Sequence, residues 1–521
     1  MLAEASVIEN NFAQAEVAFA QLINWLKSQE SQQLSHHGVE ENLHLEGIEL
    51  LRLLYEGHLR ERGLGYVGPS LVGSDELERS KTRKTECGQE SIFGRVRIER
   101  LAYGEPGLES VRPKDAQLNL PEEVYSHGVR KRIAKEIAKS SFAQAIETVE
   151  STTGAHIPKR QAEELAIKAT QDFDSFYDIR SMISPAEEPV GSIVVLTCDG
   201  KGINVREEDL RPATKAAAER AKGQKKKSKR LKKGQKTSRK RMSLVASVYN
   251  IEPQIRTAAD IVSELDGVKQ QEKKQAPRPE SKRVWASIEK PREQVVREIF
   301  DEAEQRDTSG SKKWAGLVDG EEKQRELLEK EAEKRGIDVT IILDLIHVLE
   351  YLWKAAYGFY KEGSEEAQDW VQQRLRKLLE GDCIQVAAGI RRSATCQGLK
   401  GSKRKAVDKC CDYLLKNKEY LRYDEYLAAG FPIATGVIEG ACRYLVKDRM
   451  ERGKWSLSGA EAVLKLRALL VSGDFEAYWE HHMHCEYESN YGYNQWRPIQ
   501  LSPNESSRRY GHLVVLEGGK P

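Results

Sequence analysis

The chain has 521 residues, of which 31% are charged and 39% hydrophobic, with a formal net charge of +2 and a mean hydropathy of −0.62. That length calls for roughly two to four domains with at least one substantial core. No apolar run reaches the roughly 18 residues of a membrane-spanning helix, and the opening MLAEASVIENNFAQAEVAFAQLINWLK is amphipathic and interrupted by acids, unlike a signal peptide. Eight cysteines without a Cys-x-x-Cys pair, two of them adjacent at Cys410 and Cys411, point to free thiols in a reducing cytosol, so a cytoplasmic protein is expected.

Residues 1–64 read as two helices around the polar stretch Ser28–Glu41, with Phe12, Val17, Phe19, Leu22, Ile23 and Leu26 forming an apolar stripe suited to packing or dimerisation. Residues 65–125 read as a small β-containing module, because Ile92–Tyr103 alternates apolar and polar residues. Residues 126–183 contain three helical segments. The turn TTGAH followed by Pro158 gives the last of them the look of a helix-turn-helix recognition helix, with Lys159, Arg160 and Gln161 toward DNA. An ordinary helical hairpin with a solvated basic end fits that pattern equally well.

After the spacer SPAEEP, residues 190–361 alternate in a different way. GSIVVLTCDG, MSLVASVYNIEP and RVWASIE read as strands, PREQVVREIFDEAEQRD as a helix, KKWAGLVDG as a fourth strand, EEKQRELLEKEAEKRG as a helix, and VTIILDLI as a fifth strand entering the helix IHVLEYLWKAAYGFY. Three strands followed by alternating helix and strand is the order of an RNase H-like mixed sheet. The expected fold class is therefore a multidomain α+β or α/β protein: an RNase H-like core with mostly helical N-terminal DNA-binding modules. Residues 362–427 read as a helical insertion before the last core segment, 428–472, and residues 473–521 as a C-terminal tail. There His481, His482, His484 and Cys485 lie beside Tyr478 and Trp479, the pattern of an aromatic helix end and not of a metal site.

Between the first and second strands, in the loop 211–241, KAAAERAKGQKKKSKRLKKGQKTSRKR carries Glu219 as its only acid. Such a run is ordinarily a solvated loop, yet its charge density suits polyphosphate through Lys225, Lys226, Lys227, Arg230, Lys232, Lys233, Arg239, Lys240 and Arg241. No Gly-x-x-x-x-Gly-Lys-Ser/Thr pattern occurs, which argues against ATP dependence.

Three distant carboxylates stand where elements end or begin: Asp199 in TCDGKG, Asp319 in LVDGEE and Glu439 in GVIEGAC. Phosphoryl transfer on nucleic acid uses two divalent cations about 4 Å apart, and hard oxygen ligands from separate segments are the usual way to hold them. Each residue also has a plain reading: Asp199 as a turn aspartate, Asp319 as a helix N-terminal carboxylate, Glu439 as a first-turn glutamate favoured by the helix dipole. Arg443 and Lys447 follow Glu439 at four-residue steps, offering cations for DNA phosphates. Asp344 and His347 form a second constellation, either a structural Asp–His pair or active-site residues, and Asp344 competes with Asp319 for the second metal position.

The segments TCDGKGINVREEDLR, RKRMSLVASVYNIEP, PRPESKRVWASIEK, ILDLIHVLEYLWKAA and RYDEYLAAGFPIATGVIEGACRYLVKDRMERGKWSLSGAEAVLKLRAL closely resemble bacterial insertion-sequence transposases of the ISKra type, which carry a DDE catalytic domain. The resemblance spans most of residues 85 to 490 and is most specific over 430 to 470. It implies cleavage of element ends and strand transfer to target DNA with two Mg2+ or Mn2+ ions per site, double-stranded DNA as partner, and a homodimer or higher assembly. It also implies metal roles for Asp199, Asp319 and Glu439, with Asp344 and His347 in support, since LVDG matches the family's middle Asp-Gly step and Asp344–His347 its later Asp-x-x-His. A catalytically inactive DNA-binding descendant and another RNase H-like nuclease remain the alternatives.

Overall fold

The apolar runs beyond residue 190 build the central sheet of a computed structural model that describes residues 10–183, 190–223, 240–265, 277–451, 453–492 and 496–498. The chain divides into two units, Met1–Asp172 with Ala477–Pro521, and Phe173–Glu476. The lysines and arginines at 225, 226, 227, 230, 232, 233 and 239 lie outside the described residues.

In the first unit, helix α1 (Ala13–Leu26) pairs with α2 (His36–Glu61), capped by the Ser35 hydroxyl accepting the Gly38 N–H. The expected polar gap between them is shorter than the composition suggests, because Ser28 and Ser35 each cap a helix inside it. Two long antiparallel strands follow, β1 (Lys81–Ser91) and β2 (Gly94–Gly104), joined at Ile92–Phe93. The alternating strand therefore begins at Gly94 rather than Ile92, where a φ of +109° relieves the turn. Its partner carries no strand signal in the sequence, because KTRKTECGQES has no apolar alternation. Leu59, Val96, Ile98 and Leu120 form the core between α2 and the hairpin. Leu71–Gly73 pairs antiparallel with Glu78–Arg79 and with Trp496–Pro498.

Helices α3 (His127–Lys139), α4 (Phe142–Thr152) and α5 (Lys159–Lys168) pack on one another through Val129, Ile133, Ile137, Ile146, Val149 and Leu165, all buried. Ser141 and Gln144 complete a capping box at the start of α4. Fully buried Arg130 donates to both carboxylate oxygens of Glu486 at 2.6 and 2.7 Å and to His482, whose other ring nitrogen meets Asp172 at 2.6 Å. His482 is thus a buried histidine with a partner at each ring nitrogen.

In the second unit five strands form a mixed sheet: β3 (Ile193–Asn204), β4 (Lys240–Ile251), β5 (Glu280–Ser287), β6 (Lys313–Val318) and β7 (Val339–Leu343), in spatial order β5-β4-β3-β6-β7. β4 runs antiparallel to β3 and β5, whereas β3, β6 and β7 are mutually parallel. Parallel neighbours need crossovers, supplied by α6 (Arg292–Glu304) and α7 (Glu322–Arg335). Continuous apolar runs such as Ile193–Leu196 are buried on both faces, each side chain contributing about 1.5–3 kcal/mol. On the buried side of α6, Glu302 accepts from Arg283 at 2.6 Å and from Arg306 at 2.7 Å, all three residues being nearly inaccessible.

Beyond β7 come α8 (Leu345–Phe359), α9 (Glu365–Leu379), α10 (Cys383–Cys396), α11 (Gly401–Lys416) and α12 (Tyr423–Ala428), then α13 (Gly436–Ala441) and α14 (Leu457–Ser472), which packs on β5. Residues 442–447 continue α13 as a π-helical turn. No helix among the described residues is long and apolar enough to cross a membrane.

Candidate active site

The strand register decides where the carboxylates lie. Thr197 pairs with Leu317 and Leu317 with Ile342, so Asp199, Asp319 and Asp344, each two residues further on, stand at one level across three adjacent parallel strands. The Asp344 N–H donating to the Val318 carbonyl at 2.8 Å continues that register past the end of β7. In open sheets with parallel strands this carboxyl edge is where ligands bind. Asp199 itself is not a turn residue. β3 continues beyond it through Asn204, paired antiparallel with β4, and Asp199 sits where the parallel neighbour stops.

Each carboxylate has its own surroundings. Asp199 is half-buried, and one of its oxygens accepts the Cys442 thiol at 3.1 Å. Burial and the adjoining Asp199 charge push the Cys442 thiol far up, so it stays protonated as a donor. Cys198, also buried, is raised to about 12 and is no nucleophile. Asp319 is half-buried; one oxygen accepts the Glu321 N–H at 2.8 Å, a tight turn requiring Gly320 at φ +92°. A Cβ on Gly320 would stand 2.8 Å from the Tyr413 hydroxyl, which donates to the Asp319 carbonyl at 3.2 Å.

Asp344 is wholly buried and caps α8. One oxygen accepts the N–H of Ile346 at 3.1 Å and of Thr435 at 3.2 Å; the other accepts the Thr435 hydroxyl and His347 Nδ1, the latter at 3.0 Å. Burial raises this carboxyl, but the His347, Thr435 and backbone donors outweigh it and hold it below the usual range. His347 is raised in turn, chiefly by its bond to Asp344 against the opposing effect of burial, with the charges of Asp344, Asp319 and Glu350 adding to it. The Leu345 N–H donates to the Ile433 carbonyl at 2.9 Å, so with the two bonds from Thr435 to Asp344 the start of α8 holds residues 433–435 through three hydrogen bonds. That grip sets the entry to α13 and hence Glu439.

Glu439 is exposed, three residues before Cys442 on the same helical run. Asp344, His347 and Glu439 offer ligand atoms within 4.8 Å of one another, the one such grouping among the described residues. Asp199 lies outside this trio but is joined to Glu439's helix through Cys442. Four hydrogen bonds occupy Asp344, one of them to His347. Among the described residues, Nε2 of His347, one oxygen each of Asp199 and Asp319, and the Glu439 carboxylate have no hydrogen-bond partner.

Of the remaining candidates, Lys159, Arg160 and Gln161 are exposed in the first turn of α5, where the Gln161 side-chain oxygen accepts from Tyr125. Lys240 is exposed at the start of β4, but Arg241 donates to the carbonyls of Ile288 and Asp209 at 3.1 and 3.3 Å. Arg443 and Lys447 are exposed, with Arg443 3.8 Å from Asp448. The π turn between them widens the helix, so a four-residue step does not keep them on one face as in an α-helix. Cys442, Thr435 and Tyr413 were not anticipated; only Cys442 had a signal, its three-residue spacing from Glu439. No protein-family model matches the chain, and no curated protein is significantly similar to it.

Proposed function

We propose that the chain is a DDE transposase of a bacterial insertion sequence, and that its second unit is an RNase H-like core. The observation carrying this reading is the register that brings Asp199, Asp319 and Asp344 to one level at the sheet's carboxyl edge, with Glu439 adjoining. The strand order with the second strand antiparallel agrees with that core, and the motif resemblance over residues 430 to 470 supports the family.

The donor set fits hard divalent cations: carboxylate oxygens from separate elements, one imidazole, no thiolate. Asp199, Asp319 and Glu439 would hold Mg2+ or Mn2+; Asp344, saturated by its four donors, is a positioning residue. Bound there, a pair of such ions supplies activation of an attacking oxygen and charge stabilisation at the leaving oxygen. Cys442 holds one oxygen of Asp199 and leaves the other for a metal ion. The Asp319 carboxylate is oriented by its own turn. His347, held by Asp344 through Nδ1, would present Nε2 to a phosphate oxygen. The products expected are a freed 3′-hydroxyl at the element end and its joining to target DNA, with double-stranded DNA as partner and two copies acting on two ends.

The test is end binding and Mg2+-dependent cleavage of element-end DNA by Asp199→Ala and Glu439→Ala. Both variants are expected to bind like the parent and cut at background level. Substantial cutting by either removes the proposed mechanism.

A further inference from the structure

Two tyrosines adjoin the carboxylates without a role in the chemistry above. On α8, Tyr351 follows His347 by one turn and precedes Lys354 by three residues, so the three share a face. Tyr413 of α11 stacks on Tyr351, ring centroids 3.9 Å apart and planes within 11°. Its hydroxyl reaches the Asp319 carbonyl, which makes the stacked pair continuous with the carboxylate edge. Lys354 and Lys409, both exposed, bring their ammonium groups to 5.3 and 5.8 Å from the centre of the Tyr351 ring.

The α8–α11 interface does not need this pair for its core. The two helices pack together, with Leu352, Ala355 and Ala356 of α8 and Val407, Cys410 and Leu414 of α11 all buried, while both tyrosines are only half-buried. A rigid aromatic platform flanked by two cations is what a single nucleic-acid strand requires: a π-face for an unstacked base and positive charge for the phosphates on either side. A duplex keeps its base faces hidden, so the platform suits a strand that is unpaired where it passes.

We propose that Tyr351 and Tyr413, with Lys354 and Lys409, form a wall that receives an unpaired DNA strand beside Asp319, an inference that rests on reading the carboxylate edge as a DNA phosphoryl-transfer site. The wall holds the nucleotides next to the reacting phosphate by stacking and charge, and takes no part in bond making.

The full chain is titrated with fluorescein-labelled oligo(dT) of about 16 nucleotides and photo-crosslinked to the same strand carrying 5-iododeoxyuridine. Tyr351→Leu should weaken binding about tenfold, as loss of one stacking contact does, whereas Tyr351→Phe, which keeps the ring, should bind like the parent. Lys354→Gln with Lys409→Gln should lower the slope of log affinity against log salt by about 1.4, two single-strand phosphate contacts. The crosslink should map to Tyr351 or Tyr413. Unchanged affinity in Tyr351→Leu together with crosslinks confined to other segments overturns the wall. Mg2+-dependent plasmid nicking is followed in parallel: nicking without a crosslink at either tyrosine rejects the wall alone, and a crosslink there in a protein that never nicks rejects the transposase reading while the wall stands.

Discussion

The Cys442 thiol donates to a carboxylate oxygen of Asp199 across 3.1 Å, linking the π turn after Glu439 to the central strand of the sheet. A cysteine was not among the residues expected to matter, yet this one fixes the relative placement of two proposed metal ligands 240 residues apart in the chain, as the difference 439 − 199 gives. Cys442→Val removes the donor at similar volume. It should leave the fold intact, with a stability loss of about 1–2 kcal/mol by denaturant unfolding, while raising the Mg2+ concentration needed for half-maximal cleavage. Cys442→Ser, which can still donate, should retain the parent's Mg2+ dependence.

Asp319→Asn and Asp344→Ala should fail differently. Asp319 is half-buried with an oxygen to spare, so its amide variant should fold normally and lose cleavage. Asp344 is wholly buried beneath four donors, and its removal strands them, at a cost of about 3–5 kcal/mol. Thermal unfolding beside cleavage assays checks both, and a fully stable Asp344→Ala protein contradicts the positioning role.

The Asp344–His347 pair also sets a pH window. His347 is raised above its ordinary 6.5, so its contribution is fully present below 6.5 and is lost as pH climbs through the folded value. Asp344 is lowered from 3.8, so its contribution is present above 3.8 and lost as pH falls through the folded value. The stabilisation from the pair is therefore greatest between pH 3.8 and 6.5. NMR titration of the His347 ring should show the raised value, and Asp344→Asn should bring it down.

Gly320→Ala places a Cβ 2.8 Å from the Tyr413 hydroxyl at a φ of +92°. The expected loss is about 1–3 kcal/mol, with cleavage reduced because the Asp319 turn is displaced. Adding Tyr413→Phe should recover only part of the stability, since the backbone strain persists. Full recovery would show that the clash alone matters.

Glu302→Ala leaves Arg283 and Arg306 buried with no carboxylate between them. A destabilisation of about 3–5 kcal/mol is expected in chemical denaturation. This network lies on the buried side of α6, so any loss of activity should follow loss of folded protein and not a changed Mg2+ requirement.

Much of the second unit was legible because its strands are unbroken runs of β-branched and apolar residues separated by charged amphipathic helices, as in IVVLTC, KWAGLV and VTIIL. The hairpin strand Lys81–Ser91 was not, since its sequence is polar almost throughout and only Gln89 and Ser91 of it are buried, so no period-two signal survives. Asp199 looked like the start of a turn because Asp-Gly so often is one; pairing with β4 holds Gly200–Asn204 in the strand instead. Asp344 reads in sequence as a competitor of Asp319, and only the positions of Thr435, Ile346 and His347 reveal that its oxygens already accept four hydrogen bonds.

The amino-acid order thus determined the local elements and the identity of the acidic residues, because periodicity, caps and turn chemistry act over a few neighbouring positions. Which acids meet, which are saturated and what lies beside them depended on strand register and on segments some hundred residues apart being packed together. Those contacts are set by burial and hydrogen bonding across the whole second unit, and no short stretch of chain encodes them.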